Sequence, residues 1–279
     1  MLINILIATI DAGIENVPAI LLDPTPDLKY IVSHQVTAGA YRAIPEELKR
    51  EDVIVSQIEG RGLSRNRNNA LSLSDGDIAL LADDDLHYRP EYFQEVKDAF
   101  LADQELALAC FKIATPAGEP EYKDYAAEPY LLNRESHHYI SSLEIVFRVE
   151  PIKACGIWFD ERFGIGSELV QSGEEAVFIF DCIRAGLKVK YIPAYVVEHP
   201  EASRTKQINE YATERTVFKG AYDARRYGWR ALPAAFYDSL RLYAVLREQG
   251  KDPARYLHER LRGARYILRT ENRRRCYRH

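Results

Sequence analysis

The sequence predicts an α/β protein with a mostly parallel central sheet flanked by helices and a helical C-terminal extension. Three observations point there. Short apolar runs recur along the first two hundred residues with helical stretches between them, the pattern of strands joined by covering helices. One run, Ile78-Ala79-Leu80-Leu81-Ala82, feeds straight into Asp83-Asp84-Asp85. Beyond Lys206 the periodicity is helical only.

The apolar run before the aspartates is bounded by polar residues and reads as a buried strand. Its carboxyl end is where open α/β sheets bind ligands. Three adjacent carboxylates repel one another and require a positive partner. A divalent metal with a phosphorylated ligand on its far side meets that need.

The elements follow in order. Strands are expected at Ile3–Thr9, running into Ile10-Asp11, at Leu28–Ser33, ending at His34-Gln35, and at Val53–Val55. A helix over Ser64–Leu73 precedes the aspartates, with Ser64 as its cap and Gly62 in a tight turn. Pro90 opens the next helix at a first-turn position, with Glu91 and Glu95 where the dipole favours acids. A strand at Leu106–Ala114 follows, then a polar excursion over 115–140, the length of a binding loop. Ile145–Val149 is a strand, and Pro151 starts a helix. Gly173-Glu174-Glu175 opens a helix over Ala176–Ala185 that Gly186 caps. Lys188–Ile192 is the last strand, with Val196-Val197-Glu198-His199 just beyond it. Helices over Tyr211–Tyr227, Leu232–Glu248 and Pro253–Thr270 complete the chain.

Bulk composition bounds the class. The 279 residues and 47% apolar content suffice for one large α/β domain with an appendage. Met1-Leu2-Ile3-Asn4 lacks the basic start of a signal peptide, and no window approaches the ~20 apolar residues of a membrane span. Cys110, Cys155, Cys182 and Cys276 form no CxxC pair and read as reduced thiols of a cytoplasmic protein. Charge is unevenly spread. Residues 219–279 hold 16 Lys and Arg against 6 Asp and Glu, whereas residues 1–218 hold 21 against 36. The composition break falls near Arg226-Tyr227-Gly228.

Three constellations carry candidate chemistry. The segment Gly60-Arg61-Gly62-Leu63-Ser64-Arg65-Asn66-Arg67 precedes the aspartates, and its guanidinium groups suit phosphate oxygens. Phe159-Asp160-Glu161-Arg162-Phe163, two glycines and Gly173-Glu174-Glu175 form a loop that delivers carboxylates to a cleft, one of them fit to act as a general base. His199, at the edge of the same sheet, completes a metal shell begun by the aspartates.

Taken in order, Ile7-Ala8-Thr9-Ile10-Asp11, Ser64-Arg65-Asn66, Asp83-Asp84-Asp85, Phe159-Asp160-Glu161-Arg162-Phe163, Gly173-Glu174-Glu175 and His199 resemble a family 2 glycosyltransferase of the GT-A fold over roughly residues 2–200. The resemblance implies a division into a GT-A domain, 1–205, and a basic helical extension, 206–279. It implies nucleotide-sugar contacts from Thr9, Asp11, His34, Arg65, Asp83 and Asp84, and a Mn²⁺ or Mg²⁺ ion on Asp85 and His199. It gives Glu175 the role of base and Glu174 that of acceptor holder, and Trp158 is assigned to the acceptor side from its position. The implied reaction is hexosyl transfer with inversion from a nucleoside diphosphate sugar to a glycan or lipid-linked acceptor, in cell-surface glycan or polysaccharide assembly.

Two departures stand out. Ser33-His34-Gln35 replaces the usual acidic element after the second strand, and Glu175 stands where Asp is usual. No Gln-x-x-Arg-Trp motif accompanies them, which argues against a processive synthase. Two alternatives remain: a catalytically silent binding module, and a nucleotidyltransferase. Asp11–Asp23, with one glycine and no lysine, speaks against the second. No nucleic-acid partner is expected. The basic tail fits a peripheral contact with the inner face of a membrane through Arg255, Arg260, Arg262, Arg265, Arg269 and Arg273, a contact with its own body, or a homo-oligomer.

Overall fold

The computed structural model describes residues 1–133, 140–200 and 211–270. The expected boundary between 205 and 206, Arg273, Cys276 and part of the 115–140 excursion lie outside the described residues. Two units emerge: Met1–Phe159 with Phe178–Ala202, and Asp160–Val177 with Ser203–His279.

The first unit is built on an eight-stranded sheet. In chain order the strands are β1 (Ile3–Ile10), β2 (Leu28–Val36), β3 (Val53–Glu59), β4 (Ile78–Ala82), β5 (Leu106–Ala114), β6 (Tyr130–Leu131), β7 (Ile145–Arg148) and β8 (Lys188–Glu198). Their order across the sheet is β3-β2-β1-β4-β7-β5-β8-β6. β1 pairs in parallel with β2 and β4, and β5 in parallel with β8. Only β7 and the short β6 run antiparallel to their neighbours. The helices of this unit include α1 (Leu63–Leu73), α2 (Pro90–Ala102) and α3 (Val149–Ala154).

The sheet is covered on both faces, and the sequence shows why. Ile3, Ile5 and Ile7 of β1 point into one core with Val32, Leu80, Phe93, Val96 and Phe100. Leu6 points the other way, with Leu81, Leu71, Phe147 and Phe178. A strand buried on both sides carries apolar residues at consecutive positions, which is what these runs do. Full burial of each such side chain stabilises the fold by about 1.5–3 kcal/mol. Asn4 is the polar exception in β1. Its Oδ1 accepts from Ser74 Oγ at 2.7 Å and from the amides of Asp75 and Gly76 at 2.8 Å, which fixes the turn into β4.

Two local expectations are corrected. Ser64 does not cap α1: Gly62 is the cap residue, at φ 132°, and Ser64 lies buried inside the helix. A side chain at that φ would be strained, so glycine takes the position. The last strand does not end at Ile192. β8 continues through Pro193 to Glu198, because its register against β5 slips there, from Tyr191 opposite Cys110 to Tyr195 opposite Lys112. Such an irregularity admits a proline that cannot donate to the ladder.

α4 (Glu174–Arg184) ends as expected, with Gly186 at φ 81°. The second unit holds α5 (Thr213–Tyr227), α6 (Ala231–Arg241), α7 (Tyr243–Glu248) and α8 (Pro253–Arg269). The helix expected over Leu232–Glu248 is thus broken at Leu242. Asp252 caps α8, accepting from the amides of Ala254 and Arg255 at 3.3 Å. α5 and α8 cross at Gly220 and Gly263. A Cβ on Gly220 would lie 2.0 Å from the Arg260 carbonyl oxygen, and one on Gly263 2.0 Å from that of Val217. Arg260 is fully buried beside the crossing, donating to Asp223 at 2.6 Å, Asp238 at 2.9 Å and Tyr256 Oη at 2.9 Å.

Asp160 also has a structural role. It is fully buried, and Arg162 donates to it through Nε at 2.9 Å and Nη2 at 2.6 Å, with Arg225 Nε at 3.2 Å. Burial pushes its carboxyl up, but Arg162 and Arg225 outweigh that and hold it below the ordinary range. Arg162 also donates to the carbonyls of Ile267 and Thr270 at the end of α8. The expectation that this loop delivers carboxylates to a cleft therefore fails for Asp160, which two guanidinium groups consume.

Gly263→Ala sets a gain in helix propensity of about 1 kcal/mol against a clash with backbone that cannot rotate away. The clash wins. The substitution should lower stability by about 1–3 kcal/mol in urea unfolding followed by circular dichroism. An unchanged midpoint would show that the helices cross less closely than this.

Candidate functional site

Strand order reverses direction around β1, whose neighbours β2 and β4 leave it on opposite sides. Such a switch point opens a crevice at the carboxyl ends of the strands. The parallel register pairs Ile7 with Ala82, so two residues further on Thr9 stands opposite Asp84. Thr9 Oγ1 donates to Asp84 Oδ2 at 2.5 Å. Burial pushes the Asp84 carboxyl up, the Thr9 bond partly offsets this, and Asp85 and Asp83 push it up further. Gly13 closes over the pair: a Cβ there would lie 2.1 Å from Asp84 Oδ2 and 2.5 Å from Thr9 Oγ1. Only glycine leaves room for this contact.

The other two aspartates have different partners. Asp83 Oδ1 lies 3.5 Å from Nη2 of the buried Arg67. Asp85 Oδ2 lies 3.6 Å from His199 Nε2. The His199 Nδ1 lies 2.7 Å from the Pro200 carbonyl oxygen, to which it donates. That bond fixes the tautomer and leaves the Nε2 lone pair on the Asp85 side. The Asp85 carboxylate pushes the imidazole above its ordinary range, and the imidazole holds Asp85 below its own. A short ladder sets the two elements side by side. His87 and Glu198 exchange backbone hydrogen bonds of 3.1 and 2.8 Å, and Arg89 donates to Glu198 Oε2 at 3.0 and 2.5 Å. Among the described residues, no group of three or more His, Cys, Asp or Glu side chains is placed to hold a metal. Asp85 and His199 face each other as a pair.

α1 builds the floor of the crevice. Asn66 Nδ2 donates to the Thr9 carbonyl at 2.9 Å, and its Oδ1 accepts from Ser33 Oγ at 2.5 Å. Asn69 donates to Ser33 and Ser56, and Asn68 holds the Phe159 backbone with bonds of 2.9 and 2.8 Å. Arg65, on the same helix, is half-buried, with Nη1 3.0 Å from where a Cβ on Gly60 would sit.

Asp11 is the one non-glycine described residue at positive φ, 49°. Its carboxylate accepts from the Thr37 amide at 2.7 Å and from Thr37 Oγ1 at 2.6 Å, and these bonds hold it below the ordinary carboxylate range. His34 Nε2 lies 2.9 Å from the Asp11 carbonyl oxygen, and Gln57 Nε2 lies 3.2 Å from His34 Nδ1. His34 is fully buried with both ring nitrogens engaged. Its ring braces the Asp11 backbone, and the direct nucleotide-sugar contact expected of this side chain does not fit its full burial.

The structure thus brings Thr9, Asp11, His34, Asp83, Asp84, Asp85 and His199 to the carboxyl edge of one sheet. Glu174 and Glu175 form the first turn of α4. Glu174 is buried and Glu175 half-buried. Gly173 precedes them at φ 84°, with Phe218 packed where its Cβ would be. Trp158 is half-buried against the core shared by Phe178 and Ile179. Sequence reading missed Gly13, Thr37 and Gln57, and it named Arg67 without its partner Asp83. Thr37 and Gln57 carry no motif, and Gly13 shows its role only once Asp84 is seen against it.

His199 offers a direct test. A raised imidazole contributes stability below its unfolded pKa of 6.5 and loses it as pH rises through the folded value. A lowered Asp85 contributes above 3.8 and loses it as pH falls through its folded value. The pair therefore supports the fold between those limits. An NMR titration of His199 in the metal-free protein should give a midpoint above 6.5, falling back toward it in Asp85→Asn. Identical midpoints in the two proteins would mean the groups do not interact.

Residues 37–153 match the family model described as glycosyl transferase family 2. The match includes Arg65 and the three aspartates, while Thr9, Asp11, His34, Trp158, Glu174, Glu175 and His199 lie outside it. The fold resembles the crystal structure of S. aureus TarS 1-349, with a TM-score of 0.58 and 16% identity over 94% of this chain and 90% of that one. The same protein in complex with UDP-GlcNAc aligns with a TM-score of 0.52 and 12% identity over 81% of this chain and 66% of that one. Its complex with UDP aligns with a TM-score of 0.53 and 12% identity, over 96% and 89%. No curated protein matches. Residues 37–153 thus resemble glycosyl transferase family 2, and the chain shares the fold of TarS.

Proposed function

We propose that the protein is a metal-dependent, inverting hexosyltransferase that moves a sugar from a uridine diphosphate sugar to an acceptor hydroxyl in glycan assembly. The observation that carries this reading is the Asp85–His199 pair at the switch-point crevice, with 3.6 Å between Oδ2 and Nε2. TarS, the similar structure, binds UDP-GlcNAc and UDP. That supports uridine as the base for this chain.

The residues present fit a divalent ion. A carboxylate oxygen suits Mn²⁺ or Mg²⁺, and the neutral imidazole nitrogen, a transition-metal ligand, favours Mn²⁺ of the two. His199 is already oriented by its bond to Pro200. Asp85 and His199 would hold the ion. When bound, it would offset the charge of the diphosphate leaving group.

The chain's own groups do the rest. Thr9 and Gly13 hold Asp84 still, so that its carboxylate faces the donor's ribose and sugar hydroxyls in one orientation. Arg65 supplies a guanidinium for phosphate oxygens. Glu175 takes the proton from the acceptor hydroxyl as that oxygen attacks the anomeric carbon, the bond to the diphosphate breaks, and the configuration inverts. Glu174 and Trp158 serve the acceptor side. The roles of these last three residues rest on the family resemblance and on their positions in the chain.

Calorimetry with UDP, GDP, CDP and dTDP, each with and without Mn²⁺, tests the donor side. UDP should bind only with the metal, and Asp85→Ala should weaken it at least about tenfold, as removal of an ionic ligand does. Failure of all four nucleotides to bind with Mn²⁺ would sink the reading. Hydrolysis of the donor sugar tests the base. Glu175→Gln should lower its rate about 10²–10⁴-fold while UDP affinity holds. An unchanged rate would remove Glu175 from the chemistry.

A further inference from the structure

Helix α6 is turned inside out. Its buried positions are Ala231, Ala235 and Ser239, one small residue per turn. Its large apolar residues face water. Phe236 is 52% exposed, Tyr237 66% and Leu240 76%, and Trp229, one turn ahead, is 68% exposed. Positions 229, 233, 236, 237 and 240 follow the 3.6-residue period and lie on one side. Tyr243, 53% exposed, extends the stripe into α7. Single exposed apolar residues are ordinary, but a stripe of four aromatics and a leucine marks a surface that something covers.

Charge identifies the occupant. Arg230, Arg241 and Arg247 flank the stripe and are exposed. Between Tyr227 and Arg247 the one acid is Asp238, which Arg260 holds at 2.9 Å and Arg241 meets at 3.5 Å, and Glu248 follows Arg247, so arginines outnumber acids along the face. The face is apolar at its centre and positive at its rim. A second copy meeting it face to face would set arginines against arginines. A surface of anionic headgroups over acyl chains complements both features. Indole and phenol rings favour that boundary, and guanidinium groups bind its phosphates in a fork.

We propose that the face formed by Trp229, Phe236, Tyr237, Leu240 and Tyr243 with Arg230, Arg241 and Arg247 docks on an anionic lipid surface. The docking element is α6 with its flanks and not α8, whose apolar side is spent on its own unit: Tyr256, Leu261, Ala264 and Ile267 are buried. The inference is independent of the sugar donor and of catalysis.

Sedimentation of the full chain with phosphatidylcholine vesicles, and with vesicles that also contain phosphatidylglycerol, decides it. The protein should sediment with the anionic vesicles and stay in solution with the neutral ones, and salt should weaken the binding. Trp229→Ser/Phe236→Ser/Leu240→Ser should reduce binding at least about tenfold. These side chains are exposed, so the unfolding midpoint should hold. Arg241→Gln/Arg247→Gln should cost about fivefold per charge removed. Three results would overturn the proposal: no wild-type binding to anionic vesicles, equal binding by the serine variant, or a wild-type dimer in light scattering that the serine variant dissolves without any vesicle binding.

Discussion

Much of the first unit depends on one electrostatic constraint: three consecutive carboxylates at the end of a fully buried strand. Two unit charges about 6 Å apart repel by about 3 kcal/mol at an effective dielectric constant of about 20. The fold separates them by giving each a different neighbour. Asp84 turns to Thr9 across the β1–β4 pair, Asp83 to Arg67 on α1, and Asp85 to His199 at the end of β8. Those neighbours come from three elements, so the triplet can exist only where β1, α1 and β8 meet the end of β4. Strand order, the close turn at Gly13 and the His87–Glu198 ladder all serve that meeting.

The partition also separates roles. Asp84 is half-buried, and its carboxyl is pushed up. Asp85 is the outward member, 63% exposed at its side chain, and is held down by a histidine. Adjacent groups of the same type thus differ because burial dominates at Asp84 and an imidazole dominates at Asp85.

The sheet was legible in the sequence because a strand buried on both faces leaves a largely apolar run, and Ile3–Ile7, Ile78–Ala82 and Leu106–Ile113 are such runs, interrupted only by Asn4 and Lys112. The aspartates stood out because they follow one of these runs directly, and His199 because it follows the apolar pair Val196-Val197 and Glu198. What escaped was set by contacts between distant positions. Nothing local marks Gly13, whose constraint is the Asp84 oxygen seventy-one residues later. Pro193 reads as a strand breaker until the slip against β5 is seen. Asp160 reads as a surface acid until Arg162 and Arg225 are found around it. The helical tail teaches the same lesson. α8 has the stronger amphipathic pattern, yet α5 occupies that face through two glycines, while the exposed aromatics of α6 sit in a sequence with no comparable pattern.

His34, inside β2, shows how a strand residue can brace a neighbouring turn. His34 points inward, donates to the Asp11 carbonyl and accepts from Gln57. Asp11 is held at φ 49°, a conformation that costs a non-glycine residue about 1–2 kcal/mol. Three hydrogen bonds offset that cost: one from His34 to its carbonyl and two from Thr37 to its carboxylate. A strained residue so restrained has its amide and carboxylate fixed before any ligand arrives. The side chain at position 34 therefore supports the turn after β1, and Arg61 lies near enough to act on the Asp11 charge.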